Sequence, residues 1–294
     1  MKPKETINLY RVISLLVIAL VTFGVMGGLC AKSHLYPDEW LSMFFLTLIF
    51  LLACMFELEY ERKQKGISAN TQTTFIRLSV TYTVSGGLIY AISYLPEFYR
   101  PVMIPVILLT AVSNSMVAVS FGLFFDLVLA LTVGGSFYAL AAYMMLTMLA
   151  AVLAQALKEK KYRMGVSLLT FFFSLMIPEL FSYLSTKEMQ KYSLLYAFGT
   201  AFLTFLTAAF LFHRLLHEAD QEIENHLLDI VSEDYSEVKA LKDFSMVEYR
   251  HAVKVSDIAC RCAKEVGYRA NLCLAGGFYY RMGRWIGEPY IKNA

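Results

Sequence analysis

An all-α, polytopic transmembrane helical bundle of about eight spans, followed by a cytoplasmic helical tail, is the fold class this sequence predicts. Three observations carry the prediction. The chain is 57% hydrophobic and 15% aromatic but only 17% charged, where a soluble domain carries roughly 25% charge. The charge is also unevenly placed: from Pro101 to Leu157, Asp126 is the one Asp, Glu, Lys or Arg. A soluble core does not need so long an uncharged run, whereas lipid does. From His213 onward the composition turns abruptly to charged, helical patterning.

The spans follow in order. The first runs over 9–31, and residues 32–39 form a short external loop. The second runs from Trp40 to about Leu58 and ends at the wet stretch 59–65. The third covers about 75–95, closed by Pro96 to Pro101. The uncharged stretch after it holds either two long or three shorter spans, and the positive-inside rule decides. Lys2, Lys4 and Arg11 place the N-terminus inside. Arg62, Lys63 and Lys65 then return inside after two crossings. Lys158, Lys160, Lys161 and Arg163 do so only if the stretch is crossed three times. The expected spans are therefore 102–119, 120–134 and 135–157, with an inner turn at Phe121-Gly122 near Asp126 and an outer turn at Gly134-Gly135-Ser136. Spans over 164–184 and 192–212 complete the set and leave the tail on the same side as the N-terminus, in the plasma membrane with both termini cytoplasmic.

Intramembrane acids mark proton or ion paths, or else reach water. Asp126 is expected at the inner turn and Glu179, after Pro178, at the outer interface. Arg77 and Glu57 lie near inner span ends, where they can snorkel. No internal repeat or pair of interrupted apolar segments points to a transporter site. Cys30, Cys54, Cys260, Cys262 and Cys273 lack the spacing of a zinc or redox motif and read as packing residues. A net charge of +2 says little about partners. The bilayer is the expected one, a nucleic acid duplex is not, and a homo-oligomer is open.

In the tail, His213–Ala240 reads as a connector helix interrupted at Ser232–Glu237. Helices are expected over 236–244, 246–266 and 270–284, with Gly267 as a C-cap. His213 and His217 share a helix face and read as solvated. The stretch from Tyr249-Arg250-His251 to Gly267, followed by Gly276-Gly277-Phe278-Tyr279-Tyr280-Arg281-Met282-Gly283-Arg284, resembles the opening of an HD-type phosphohydrolase domain. The similarity is closest to the bacterial seven-transmembrane receptors with an intracellular HD hydrolase. His251 falls on that family's metal-binding histidine and Gly267 on its glycine. Tyr280, Arg281, Met282, Gly283 and Arg284 fall on its His-Asp-Ile-Gly-Lys. The family's one-plus-seven span arrangement matches the span count here, with an eight-residue loop in place of its external domain.

The resemblance implies hydrolysis of cyclic di-adenylate at a manganese or iron pair that activates a water. It also implies that the site here is degenerate. Tyr280 replaces a metal-binding histidine, and Arg281 sets a fixed cation where an anion bridges the metals. At about 4 Å and an effective dielectric near 20, each unit of that repulsion is worth roughly 4 kcal/mol. His251 is then a ligand without companions, and no cofactor is expected. Arg281 and Arg284 are either a surface rim or contacts to a nucleotide phosphate. Only three helices of such a domain precede Ala294, so residues 236–294 are expected to form a partial HD-like domain behind a 40–212 bundle and a 213–235 connector. The expected function is that of a catalytically inactive relative that anchors to the membrane, senses a cyclic dinucleotide or partners an active homologue. Two alternatives stand: an active metal-dependent HD phosphodiesterase in a longer native chain, and a transporter or small-molecule receptor using the bundle.

Overall fold

Helices account for the fold, and no strand occurs among the described residues, which in this computed structural model are 9–63, 72–159, 161–188 and 192–280. The chain divides into two units, Met1–Leu216 and His217–Ala294.

The first unit contains α1 (Leu9–Lys32), α2 (Pro37–Lys63), α3 (Gln72–Ile92), α4 (Met103–Val112), α5 (Ser115–Thr132), α6 (Phe137–Leu157), α7 (Arg163–Thr186) and α8 (Ser193–Leu206). A π turn, Thr207–Leu211, follows, and then α9 (Phe212–Asp229), within which the first unit ends. Among the described residues, seven helices are long and apolar enough to cross a membrane. The exception is α4. Its 10 residues rise about 15 Å, half of the hydrocarbon core of about 30 Å.

The long uncharged stretch is thus divided differently from the expected 102–119 and 120–134. The helix breaks at Ser113-Asn114, not at Phe121-Gly122. Ser113 is extended, and Asn114 caps α5 by accepting a hydrogen bond from the Ser115 amide at 2.6 Å. Asparagine is among the residues favoured at a helix start. Gly122 lies inside α5, where a Cβ would stand 2.6 Å from Thr147 Cγ2 and 2.7 Å from Val106 Cγ2. The glycine lets α4, α5 and α6 approach one another. At the other end of α5 the expected turn is present, with Gly134 at φ 71° and the Ser136 hydroxyl capping α6 through the Ala139 amide.

Every residue from Phe98 to Ala111 is buried. A helix that is apolar all round belongs inside a bundle. Irregular backbone such as the lead-in 93–102 is tolerated at membrane depth only where protein covers it. The ends of the helices pair consistently. At one end Arg11 meets Glu59, Ser14 donates to the Phe75 carbonyl, Ser120 donates to Glu57 and Gln155 donates to Ser115. At the other end Lys32 donates to Ser93, and the Ser136 amide donates to Glu97. The segment Glu97–Val112 starts at the second end and finishes at the first. The short α4 therefore completes a passage through the bundle, and α8 returns to the end where α1 began.

The second unit holds the remainder of α9 with α10 (Ser236–Phe244), α11 (Met246–Val266) and α12 (Ala270–Tyr279). Its core is Val238, Leu241, Ala252 and Phe278, packed by Val231, Tyr235, Tyr249, Val253 and Tyr279. Ser245 caps α11 by accepting from the Glu248 amide, and Gly267 ends it at φ 74°. Helix α12 lies close on α11: a Cβ on Gly277 would sit 3.0 Å from the Ser256 backbone. The Ser256 hydroxyl donates to the Leu274 carbonyl at 2.8 Å. Of the cysteines, Cys30, Cys54 and Cys260 are buried as expected of packing residues, but Cys262 is exposed.

Candidate functional site

In the second unit the capped start of α11 places His251 on its second turn, facing the end of α12. His251 Nε2 and the Tyr280 hydroxyl are 2.7 Å apart, with their rings tilted and 6.1 Å between centroids. Two positions far apart in sequence that the motif assigned to one site are thus neighbours. The adjoining tyrosines are structural. Tyr249 donates to Glu233 at 3.2 Å and its ring meets Phe278 edge-on. Tyr279 donates to the Ile230 carbonyl, and burial pushes its phenol up to about 12. Arg281 and Arg284 lie outside the described residues. Among the described residues, no group of three or more His, Cys, Asp or Glu is arranged to hold a metal ion.

A charged lock closes the base of this unit. Glu233 accepts from Lys242 at 3.1 Å and from Tyr249. The Lys242 hydrogen bond, then that of Tyr249, holds the Glu233 carboxyl below its ordinary value. Glu233 in turn holds the Lys242 ammonium above its own. The lock is complete at neutral pH. Its acid-side contribution is present above the ordinary carboxylate range and is lost as pH falls through the lowered Glu233 value. Its basic side is lost as pH rises through the raised Lys242 value. Glu233→Gln is expected to flatten the acid limb of a thermal-melt series on the full chain. The change is small because the pair is exposed, and an acid limb identical to that of the parent would refute the assignment.

The bundle holds the second set of polar groups, and here two expectations are corrected. Asp126 is not at a water-reaching turn. It lies within α5 at 1% exposure, with Oδ2 accepting from Thr147 at 2.6 Å and Oδ1 buried without a partner. Glu179, half-buried beside Pro178 toward the end of α7, keeps one carboxylate oxygen, Oε1, buried and unpartnered. Arg100, expected in an external loop, is 4% exposed and donates to the Tyr143 hydroxyl at 3.2 Å and to the Leu95 carbonyl. Tyr143 donates onward to the Glu97 carbonyl.

Asp126 and Arg100 find their partners, Thr147 and Tyr143, on α6, beyond the reach of local sequence signals. The available signal was spacing. Tyr143 and Thr147 stand four apart on α6, as Gly122 and Asp126 do on α5, so each pair shares a helix face. No family profile, curated protein or solved structure matches the chain at a significant level.

Proposed function

We propose that the chain is a plasma-membrane protein with both termini cytoplasmic, whose tail is an HD-type module that binds without hydrolysing. The observation that carries this reading is the meeting of His251 with Tyr280. The imidazole nitrogen that would ligate a metal in an active relative is occupied by a phenol. A neutral phenol is a poor ligand for manganese or iron, which favour imidazole and carboxylate. The next residue in the sequence, Arg281, carries a fixed positive charge where the resemblance implies an aspartate. A module of this kind acts through what it holds, either a cyclic dinucleotide or a catalytically intact homologue.

The orientation is supported by the basic residues gathered at the end of the bundle where α1 starts and α6 finishes. Exposed Cys262 provides a probe of it: an impermeant maleimide is expected to label the chain in lysed but not in intact cells. The test of function is the purified full chain with manganese and cyclic di-adenylate. No turnover above background is expected. Turnover that disappears in His251→Ala would establish the active-enzyme alternative instead. A second reading, a transporter or small-molecule receptor, is favoured by the buried, half-satisfied Asp126 beside the short α4. Uptake into vesicles that fails in Asp126→Asn would support it.

A further inference from the structure

The interface between α7 and α8 is a stripe of small and hydroxyl residues. Along most of its length each hydroxyl returns to a carbonyl of its own helix. Ser167 donates to Arg163, Thr170 to Ser167, Thr200 to Tyr196 and Thr204 to Thr200. Such back-bonding satisfies the side chains and leaves nothing over.

One end of the stripe departs from this pattern. The 3-10 turn Glu97–Tyr99 leads Tyr99 against α7 and α8, where its ring stacks near Tyr196 at 6.1 Å. Tyr99 is 2% exposed, and its hydroxyl has no hydrogen-bond partner. Ser182, Ser193 and the Glu179 carboxylate stand around that hydroxyl within interaction range, though not in hydrogen-bond geometry. Glu179 Oε1, from the same group, is likewise buried and unpartnered. Two orphaned oxygens from neighbouring side chains are unusual. Buried polar atoms are almost always satisfied, and those that are not call for a missing water or ion.

We propose that Glu179, Tyr99, Ser182 and Ser193 form a binding site for a small monovalent cation of the sodium type. All four donors are oxygens, the hard set that alkali and alkaline-earth ions select. A single carboxylate matches a single positive charge. Calcium sites combine six to eight oxygens with several carboxylates. Among the described residues Glu179 has no ion-pair partner; the residue is half-buried, and its enclosed Oε1 leaves that side of the carboxylate without a compensating partner. A water could bridge the two orphaned oxygens but would bring no positive charge to the enclosed side of the carboxylate. A cation satisfies both requirements, and it ties the 3-10 turn to α7 and α8 at the point where the chain turns into the buried α4.

The experiment is thermal unfolding of the full chain in lipid nanodiscs. Sodium chloride is titrated against N-methylglucamine chloride at constant ionic strength. The expected result is a saturable rise in Tm of about 5 °C with sodium. Glu179→Gln and Tyr99→Phe are expected to unfold near the parent temperature in N-methylglucamine and to lose the rise. If either variant fails to fold, Ser182→Ala serves in its place, and its sodium midpoint is expected to move severalfold upward. A flat parent response across the titration would assign the gap to water and overturn the proposal. So would a full rise retained in Glu179→Gln, or an unchanged midpoint in Ser182→Ala.

Discussion

Gly122→Leu is expected to abolish the packed bundle. At this position a single added carbon already stands 2.6 Å from Thr147 and 2.7 Å from Val106, one neighbour on each flanking helix. Neither can retreat, because Val106 and Thr147 are both fully buried. Overpacking of this kind costs about 1–3 kcal/mol even for a modest excess of volume. Leucine adds four carbons where none fits, and the displaced Thr147 also leaves Asp126, one turn further along α5, without its donor. Against a total stability of about 5–15 kcal/mol, the loss should lower the Tm by about 10 °C or more and yield aggregated material on size-exclusion chromatography. Gly122→Ala should fall between this variant and the parent. A Gly122→Leu protein that stayed monodisperse with an unchanged Tm would show that the three helices do not meet there.

Tyr280→His combined with Arg281→Asp is expected to create a divalent-metal site, where the described residues of the parent hold no group of three or more metal-ligating side chains. The parent presents His251 with a phenol for company and a guanidinium in the next position. The double change supplies an imidazole and a carboxylate, the ligand types manganese and iron favour. It also replaces a fixed cation in the sequence by an anion. Tyr280 is 44% exposed, so solvent screens much of that effect. A gain of about 100-fold in manganese affinity, or nearly 3 kcal/mol, is the reasonable expectation. Calorimetry with the parent, the double variant and the double variant carrying His251→Ala measures it. Equal affinity in all three would mean that His251 and the pair at 280–281 do not share a site, and the proposed kinship of the tail would lose its basis.

The parts of this structure that could be read from sequence are those set by local rules. The boundaries of α10 and α11 coincide with the expected 236–244 and 246–266 because capping and glycine signals act within a few residues. The turn at Gly134-Gly135-Ser136 is legible for the same reason. The errors share a different cause. Gly122 signals either a turn or a close approach, and only the unseen neighbours Thr147 and Val106 decide which. Asp126 in an apolar stretch suggests a link to water, yet its partner lies 21 residues away on another helix. Arg100 in a connecting segment suggests exposure, yet it is buried against Tyr143 of α6. The pairing of His251 with Tyr280 was legible only as a shared motif, since helical periodicity does not reveal which face of α11 meets the end of α12.

The buried α4 bears on how the protein is made. A translocon releases a segment into lipid when it is long and greasy enough by itself. Ten residues preceded by an arginine do not meet that standard. During synthesis this piece should therefore stay at the translocon or outside the bilayer until α5 and α6 emerge and offer it a place, so that its insertion is a late, cooperative event. A nascent chain stalled after Asn114 should leave a glycosylation tag at that point on the wrong side, and one stalled after Lys158 should correct it. Matching tag positions in the two chains would mean that α4 inserts unaided.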